Sequence, residues 1–70
     1  MIPLSMASVG ETNRIRKITG RDDVRQHLSE LGFVVGESVT VVSELSGNMI
    51  LSVKDSRVAI DRGMAMRIMV

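Results

Sequence analysis

The sequence predicts a mainly β domain: a small barrel of about five short strands, with one short α-helix between the first and second strands. The spacing of apolar residues changes from helical to alternating between Leu28 and Val41. The alternating segments that follow are short and are separated by tight polar turns, and closure of such strands into a barrel removes exposed strand edges. A length of 70 residues limits the prediction to a single domain, residues 1–70.

The composition indicates a soluble cytoplasmic protein. A hydrophobic content of 44% is sufficient for a packed core, and the absence of cysteine excludes disulfides and thiolate metal sites. Nine basic and eight acidic residues give a net charge of +1, which predicts no strong general attraction to nucleic acid or membranes. The segment Met1–Ala7 lacks the charged and apolar regions of a signal peptide. No stretch reaches the roughly 20 apolar residues of a membrane span.

The first strand is predicted at Thr12–Ile18, after a lead-in that Leu4 and Val9 are expected to anchor. Ile15 and Ile18 are three positions apart, which breaks the two-residue period of a strand. Either a bulge lies between them or the strand ends early.

The helix is predicted to begin at Asp22 or Asp23, because a carboxylate can accept hydrogen bonds from the free amides at a helix start. Apolar residues then recur at i, i+4 and i+7, forming one helical stripe: Val24, Leu28 and Leu31. Gly32 can adopt the left-handed conformation that ends a helix.

The remaining strands are predicted from alternating apolar residues between polar turns. Their expected inward positions are Val39 and Val41; Met49, Leu51 and Val53; Val58 and Ile60; and Met66, Ile68 and Val70. The turns between them are predicted at Ser46-Gly47-Asn48, Lys54–Arg57 and Asp61-Arg62-Gly63, the last either as a tight turn or as one 3₁₀ turn.

One ordered set of motifs covers nearly the whole chain, from Leu4 to Val70. It consists of Leu28-x-x-Leu31-Gly32-Phe33-x-x-Gly36-x-x-Val39-x-Val41, Ser46-Gly47-Asn48-Met49-Ile50, Arg57-Val58-Ala59-Ile60 and Gly63-Met64-Ala65. This set resembles the FeoA family, the small cytosolic accessory proteins of ferrous-iron transport. The sequence departs from that family at Val35, where proline is common, and at Met49, where the hairpin often has proline.

The resemblance implies an SH3-like barrel with the helix packed beside it. It also implies a role in ferrous-iron uptake, with a membrane transporter that carries a GTPase domain as partner. A similar module occurs fused to iron-dependent repressors, so the fold alone does not determine the function.

The residues disfavour an enzyme. The chain has one histidine, no cysteine, no recognisable Ser-His-acid motif and no phosphate-binding glycine loop.

A small-barrel nucleic-acid-binding protein is one alternative, because Arg14, Arg16, Lys17 and Arg21 could contact phosphates. Phe33 is the only aromatic residue, however, so the sequence offers no stacking platform.

A metal-responsive regulatory module is another alternative. Asp23, His27 and Glu30 lie at i, i+4 and i+7, so a helix would place them on one side. Histidine with carboxylates can bind a divalent transition metal such as iron or zinc. The competing interpretation is a solvated polar face on which Asp23 pairs with His27. A protein that acts through protein–protein contact alone would require no cofactor.

The primary hypothesis is a non-enzymatic accessory protein that contacts a transporter's cytosolic domain. The predicted binding surface is the turn after the helix: Gly32, Phe33, Val34, Val35 and Gly36. Its three central apolar residues cannot easily all face inward, and an apolar loop on a rigid scaffold suits protein binding. The sequence leaves open the partner's identity, the sign of its regulation and the oligomeric state.

Overall fold

The structure is a computed structural model and covers residues 1–70. It has six strands and two helices after a 3₁₀ turn at Leu4–Met6: β1 (Thr12–Arg14), β2 (Lys17–Ile18), α1 (Asp22–Glu30), β3 (Ser38–Leu45), β4 (Asn48–Val53), β5 (Ser56–Asp61), α2 (Arg62–Ala65) and β6 (Ile68–Met69). Antiparallel pairing gives one four-stranded sheet in the order β1-β3-β4-β5 and a second sheet of β2 and β6. The predicted mainly β class is confirmed.

The predicted first strand is divided between the two sheets. Arg14 in β1 pairs with Ser38 in β3, whereas Lys17 in β2 pairs with Met69 in β6. Ile15 lies at the corner between the sheets, buried with 1% of its surface exposed. The irregular spacing of Ile15 and Ile18 therefore marks a change of sheet, and the barrel has six strands instead of five.

The core lies between the two sheets and is closed by α1. The predicted alternation in β3 and β4 is confirmed, because Val39 pairs with Val53 and Val41 with Leu51, all four buried. Helix α1 contributes Leu28 to the same cluster, with Val24 and Leu31 packed against it. The helical stripe and the strand faces thus form one core.

Two predictions at the ends of the chain are corrected. Leu4 is buried as expected, but Val9 is 58% exposed and does not anchor the lead-in. Met66 is 57% exposed because it caps the C-terminus of α2 instead of continuing the last strand. The predicted turn at Asp61 begins that one-turn helix, since the Asp61 side chain accepts a 2.7 Å hydrogen bond from the Met64 amide.

The helix α1 has no side-chain cap, so the prediction that an aspartate caps it is wrong. Arg21 occupies the N-cap position, and Asp22 and Asp23 lie within the first turn. Asp22 instead pairs with Arg25 at 3.5 Å, and Asp23 with Arg21 at 3.6 Å. Their charges still lie near the positive end of the helix dipole.

Both predicted hairpin turns are present. Ser46 and Gly47 connect β3 to β4 with φ values of 51° and 81°, and Lys54 and Asp55 connect β4 to β5 with 48° and 63°. Two consecutive residues with positive φ are typical of a type I′ turn, whose twist matches that of the flanking strands.

Candidate functional site: a groove beside the Gly32–Gly36 turn

The end of α1 determines how the predicted binding turn enters the fold. The Gly32 amide donates to the Ser29 carbonyl at 3.0 Å, and the Phe33 amide to the Leu28 carbonyl at 2.9 Å. Gly32 has a φ of 108°. This pair of bonds is the Schellman motif, which commonly brings the residue after the glycine against the last turn of the helix.

Phe33 is therefore a core residue, and its expected place on the binding surface is corrected. Its side chain is completely buried, as is that of Leu28. Since the Schellman motif turns the chain back over the helix, Phe33 points inward while the residues after it emerge. Val34 is half-buried and Val35 is 64% exposed.

The rest of the turn is held by backbone hydrogen bonds. The Glu37 amide donates to the Val34 carbonyl at 3.1 Å, and Gly36 has a φ of 95°. Gly36 also donates to the Ile15 carbonyl at 2.9 Å, and its own carbonyl accepts a 3.2 Å bond from the Arg14 guanidinium. The turn thus presents Val35 on a fixed backbone.

An open groove of about 600 Å³ lies beside this turn. It lies among β2, the segment after β2, helix α1 and the turn; its lining residues are Arg16, Lys17, Ile18, Thr19, Gly20, Arg25, Ser29, Phe33, Val34 and Val35. Its size is that of a ligand site, and its wall combines apolar and cationic side chains. Two residues of the predicted surface, Val34 and Val35, therefore belong to a concave site.

The groove is positively charged. Arg16 and Lys17 form no ion pair, Arg25 pairs with Asp22, and no lining residue is acidic. The basic residues that the sequence singled out are thus divided: Arg16 and Lys17 line the groove, while Arg14 supports the turn.

The expected metal ligands do not form a site. Asp23, His27 and Glu30 are exposed on α1, and no three His, Asp or Glu side chains of residues 1–70 lie together in an arrangement that could hold a metal ion. The three side chains lie on a solvated polar face, as the competing interpretation expects, but Asp23 pairs with Arg21 instead of His27.

Sequence patterns did not indicate the opposite wall of the groove. Ile18, Thr19 and Gly20 line the same groove as the turn, and the backbone hydrogen bonds that join Ile15 to Gly36 and Glu37 bring the start of β2 beside it. The only sequence signal near them was the broken period at Ile15, which marks the change of sheet. Contacts between residues this far apart in the chain leave no pattern in the local sequence.

The fold and the groove define a small SH3-like barrel with a cationic, partly apolar binding cleft. The FeoA domain model matches residues 2–70. The chain therefore belongs to the FeoA family. No helix is both long and apolar enough to cross a membrane.

Similar proteins agree with this assignment. The chain is 39% identical to a Methanocaldococcus jannaschii protein named as a candidate Fe(2+) transport protein A, over all of this chain and 85% of that protein. The crystal structure of an iron uptake regulatory protein, FeoA, matches with a TM-score of 0.91 and 35% identity, covering 99% and 92% of the two chains. The zinc complex of Stenotrophomonas maltophilia FeoA, described as a prokaryotic SH3 domain protein, matches with a TM-score of 0.76 and 25% identity, covering 100% and 89%.

Proposed function

We propose that this chain is a non-enzymatic accessory protein of ferrous-iron transport that acts in the cytoplasm. It binds the cytosolic, GTPase-containing part of a membrane transporter through the groove and the Val34–Gly36 turn. The observation that supports this most is the exposure of Val35, 64%, at the edge of a groove whose backbone is fixed.

A fixed turn lowers the cost of binding. The bonds from Glu37 to Val34 and from Gly36 to Ile15 hold the turn before any partner arrives. Because less conformational entropy is lost on association, more of the contact energy appears as affinity. An exposed apolar side chain beside a cleft then provides the contact area.

The test is a calorimetric titration of the chain with the transporter's purified, folded cytosolic domain. Val35→Asp should raise the Kd about tenfold, because a contact of about 1.4 kcal/mol is lost and a charge enters the interface. Leu45→Asp is the matched control, since Leu45 is 70% exposed at the β3–β4 hairpin. It should bind like the unmodified chain.

Two results would contradict the proposal. Absence of binding by the unmodified chain would remove the proposed partner. Equal affinity of the Val35 and Leu45 variants would show that the partner binds elsewhere.

The metal-responsive alternative receives less support. A relative forms a complex with zinc, but Asp23, His27 and Glu30 of this chain do not assemble into a group that could hold the ion. We therefore assign no step of the proposed function to a bound metal. In the proposed function, ferrous iron is only the ion that the transporter carries.

A further inference from the structure

We infer that the groove recognises an acidic segment of its protein partner, in which carboxylates lie next to an apolar side chain. This inference rests on the proposed function and adds the chemistry of the partner. It is based on two features of the same concave surface. The surface carries cationic side chains that form no ion pair within the chain, and it also carries an exposed apolar residue.

The cationic part of the groove is not neutralised by the chain itself. Arg16 and Lys17 are exposed and form no ion pair. Arg67 extends this basic rim, because its Cδ atom would lie 3.5 Å from a Cβ placed on Gly20. Carboxylates of a partner would complement these charges, and such complementarity steers association and fixes orientation.

The apolar part is formed mainly by the turn after α1. Val34 and Val35 line the groove together with the buried Phe33. Ile18 adds a half-buried aliphatic side chain on the β2 side. An apolar residue of the partner could bury its surface there while its acidic neighbours face Arg16 and Lys17.

A protein segment suits this groove better than nucleic acid does. The only aromatic side chain, Phe33, is completely buried, so no base can stack on it. The net charge of the chain is +1, whereas nucleic-acid-binding surfaces are usually part of a strongly basic domain. The apolar residues next to the cations would also find no apolar surface to contact on a phosphate backbone.

The experiment is a titration of the transporter's cytosolic domain with charge-reversal variants, at about 50 mM and about 500 mM salt, which screens exposed charges. Arg16→Glu is compared with Arg57→Glu, an identical change at an exposed arginine of β5 that also forms no ion pair. At low salt, Arg16→Glu should raise the Kd about fivefold and Arg57→Glu less than about twofold. Arg16→Gln should give an intermediate loss.

The outcomes separate this inference from the proposed function. A loss specific to Arg16 that shrinks at high salt supports an acidic partner segment. Equal affinities of both variants, with binding by the unmodified chain intact, overturn the inference and leave the proposed function standing. Displacement of the domain by a DNA duplex at equal concentration also overturns it. Absence of binding by the unmodified chain overturns both.

Discussion

The amide of Phe33 donates a 2.9 Å hydrogen bond to the carbonyl of Leu28, across the glycine that ends the helix. Both side chains are completely buried. This bond divides the turn after the helix into a part that builds the core and a part that faces solvent. Val35, two residues beyond Phe33, belongs to the second part.

Phe33→Ala should reduce the free energy of unfolding by about 3–5 kcal/mol, because it removes a fully buried ring and leaves a cavity. A domain of this size is stable by only about 4–10 kcal/mol, so the variant should be largely or partly unfolded at 37 °C. Urea denaturation followed by circular dichroism measures the loss. Val35→Ala is the control and should change stability by less than about 0.5 kcal/mol. Similar effects of the two variants would contradict the division of the turn.

Gly32→Ala should cost about 1–2 kcal/mol, because a φ of 108° is strained for a residue with a Cβ atom. The added atom would meet Val53 at 3.5 Å, an ordinary contact, so the loss comes from the backbone. Ser29→Ala, at an exposed helical position, should not lower stability. The difference between their denaturation midpoints measures the strain, and equal midpoints would contradict it.

Val35→Pro should raise the free energy of unfolding by about 0.4–1 kcal/mol. The bond from Glu37 to Val34 and the positive φ of Gly36 are those of a type II turn, which favours proline at the position of Val35. The Val35 amide donates no backbone hydrogen bond that proline would remove. Thermal unfolding should show a higher midpoint for this variant than for Val35→Ala. A lower midpoint would show that the turn has a different geometry.

Asp55→Gly should stabilise the chain by about 0.5–1 kcal/mol, because Asp55 has a φ of 63° in a two-residue hairpin turn that favours glycine there. Ser56→Gly is the control at the first residue of β5, where glycine should destabilise by a similar amount. Both free energies can be measured by urea denaturation. The same sign for the two substitutions would contradict this turn conformation.

Glu11 should titrate below its ordinary pKa of 4.5. Hydrogen bonds from the Asn13 side chain, at 2.8 Å, and from the Ser8 amide, at 3.3 Å, favour its charged form. Since the pKa is lower in the folded state, the stabilisation is present above pH 4.5 and is lost as the pH falls through the folded value. NMR titration of the Glu11 carboxyl carbon measures the midpoint. Asn13→Ala should raise it, and an unchanged midpoint would contradict the assigned cause.

Local sequence patterns predicted most of the fold. The change from helical to alternating spacing correctly separated α1 from β3, and the faces of Val39, Val41, Met49 and Leu51 followed from the two-residue period. Such patterns record which side of one element is buried. They do not record which distant strand lies next to it, so the division of the first strand between two sheets was not predicted.

The candidate site was predicted only in part. The sequence indicates the turn, but three adjacent apolar residues between two glycines do not show which of them faces inward. The Schellman motif at Gly32 decides this, because its apolar contact with the helix buries Phe33, the residue after the glycine. The groove itself depends on β2 lying beside the turn, because Ile15 exchanges backbone hydrogen bonds with Gly36 and Glu37, more than twenty residues further along the chain. The sequence marks Arg16 and Lys17 as basic residues, but only the structure places them in the same groove as Val35.

The most direct test of the docking surface is an amide NMR titration of isotope-labelled chain with the transporter's cytosolic domain. We expect the amides of Lys17–Gly20 and Val34–Gly36 to shift or broaden first, while those of the Ser46–Gly47 hairpin turn do not change. Perturbations centred on that hairpin or on β5, with the groove unaffected, would contradict the account.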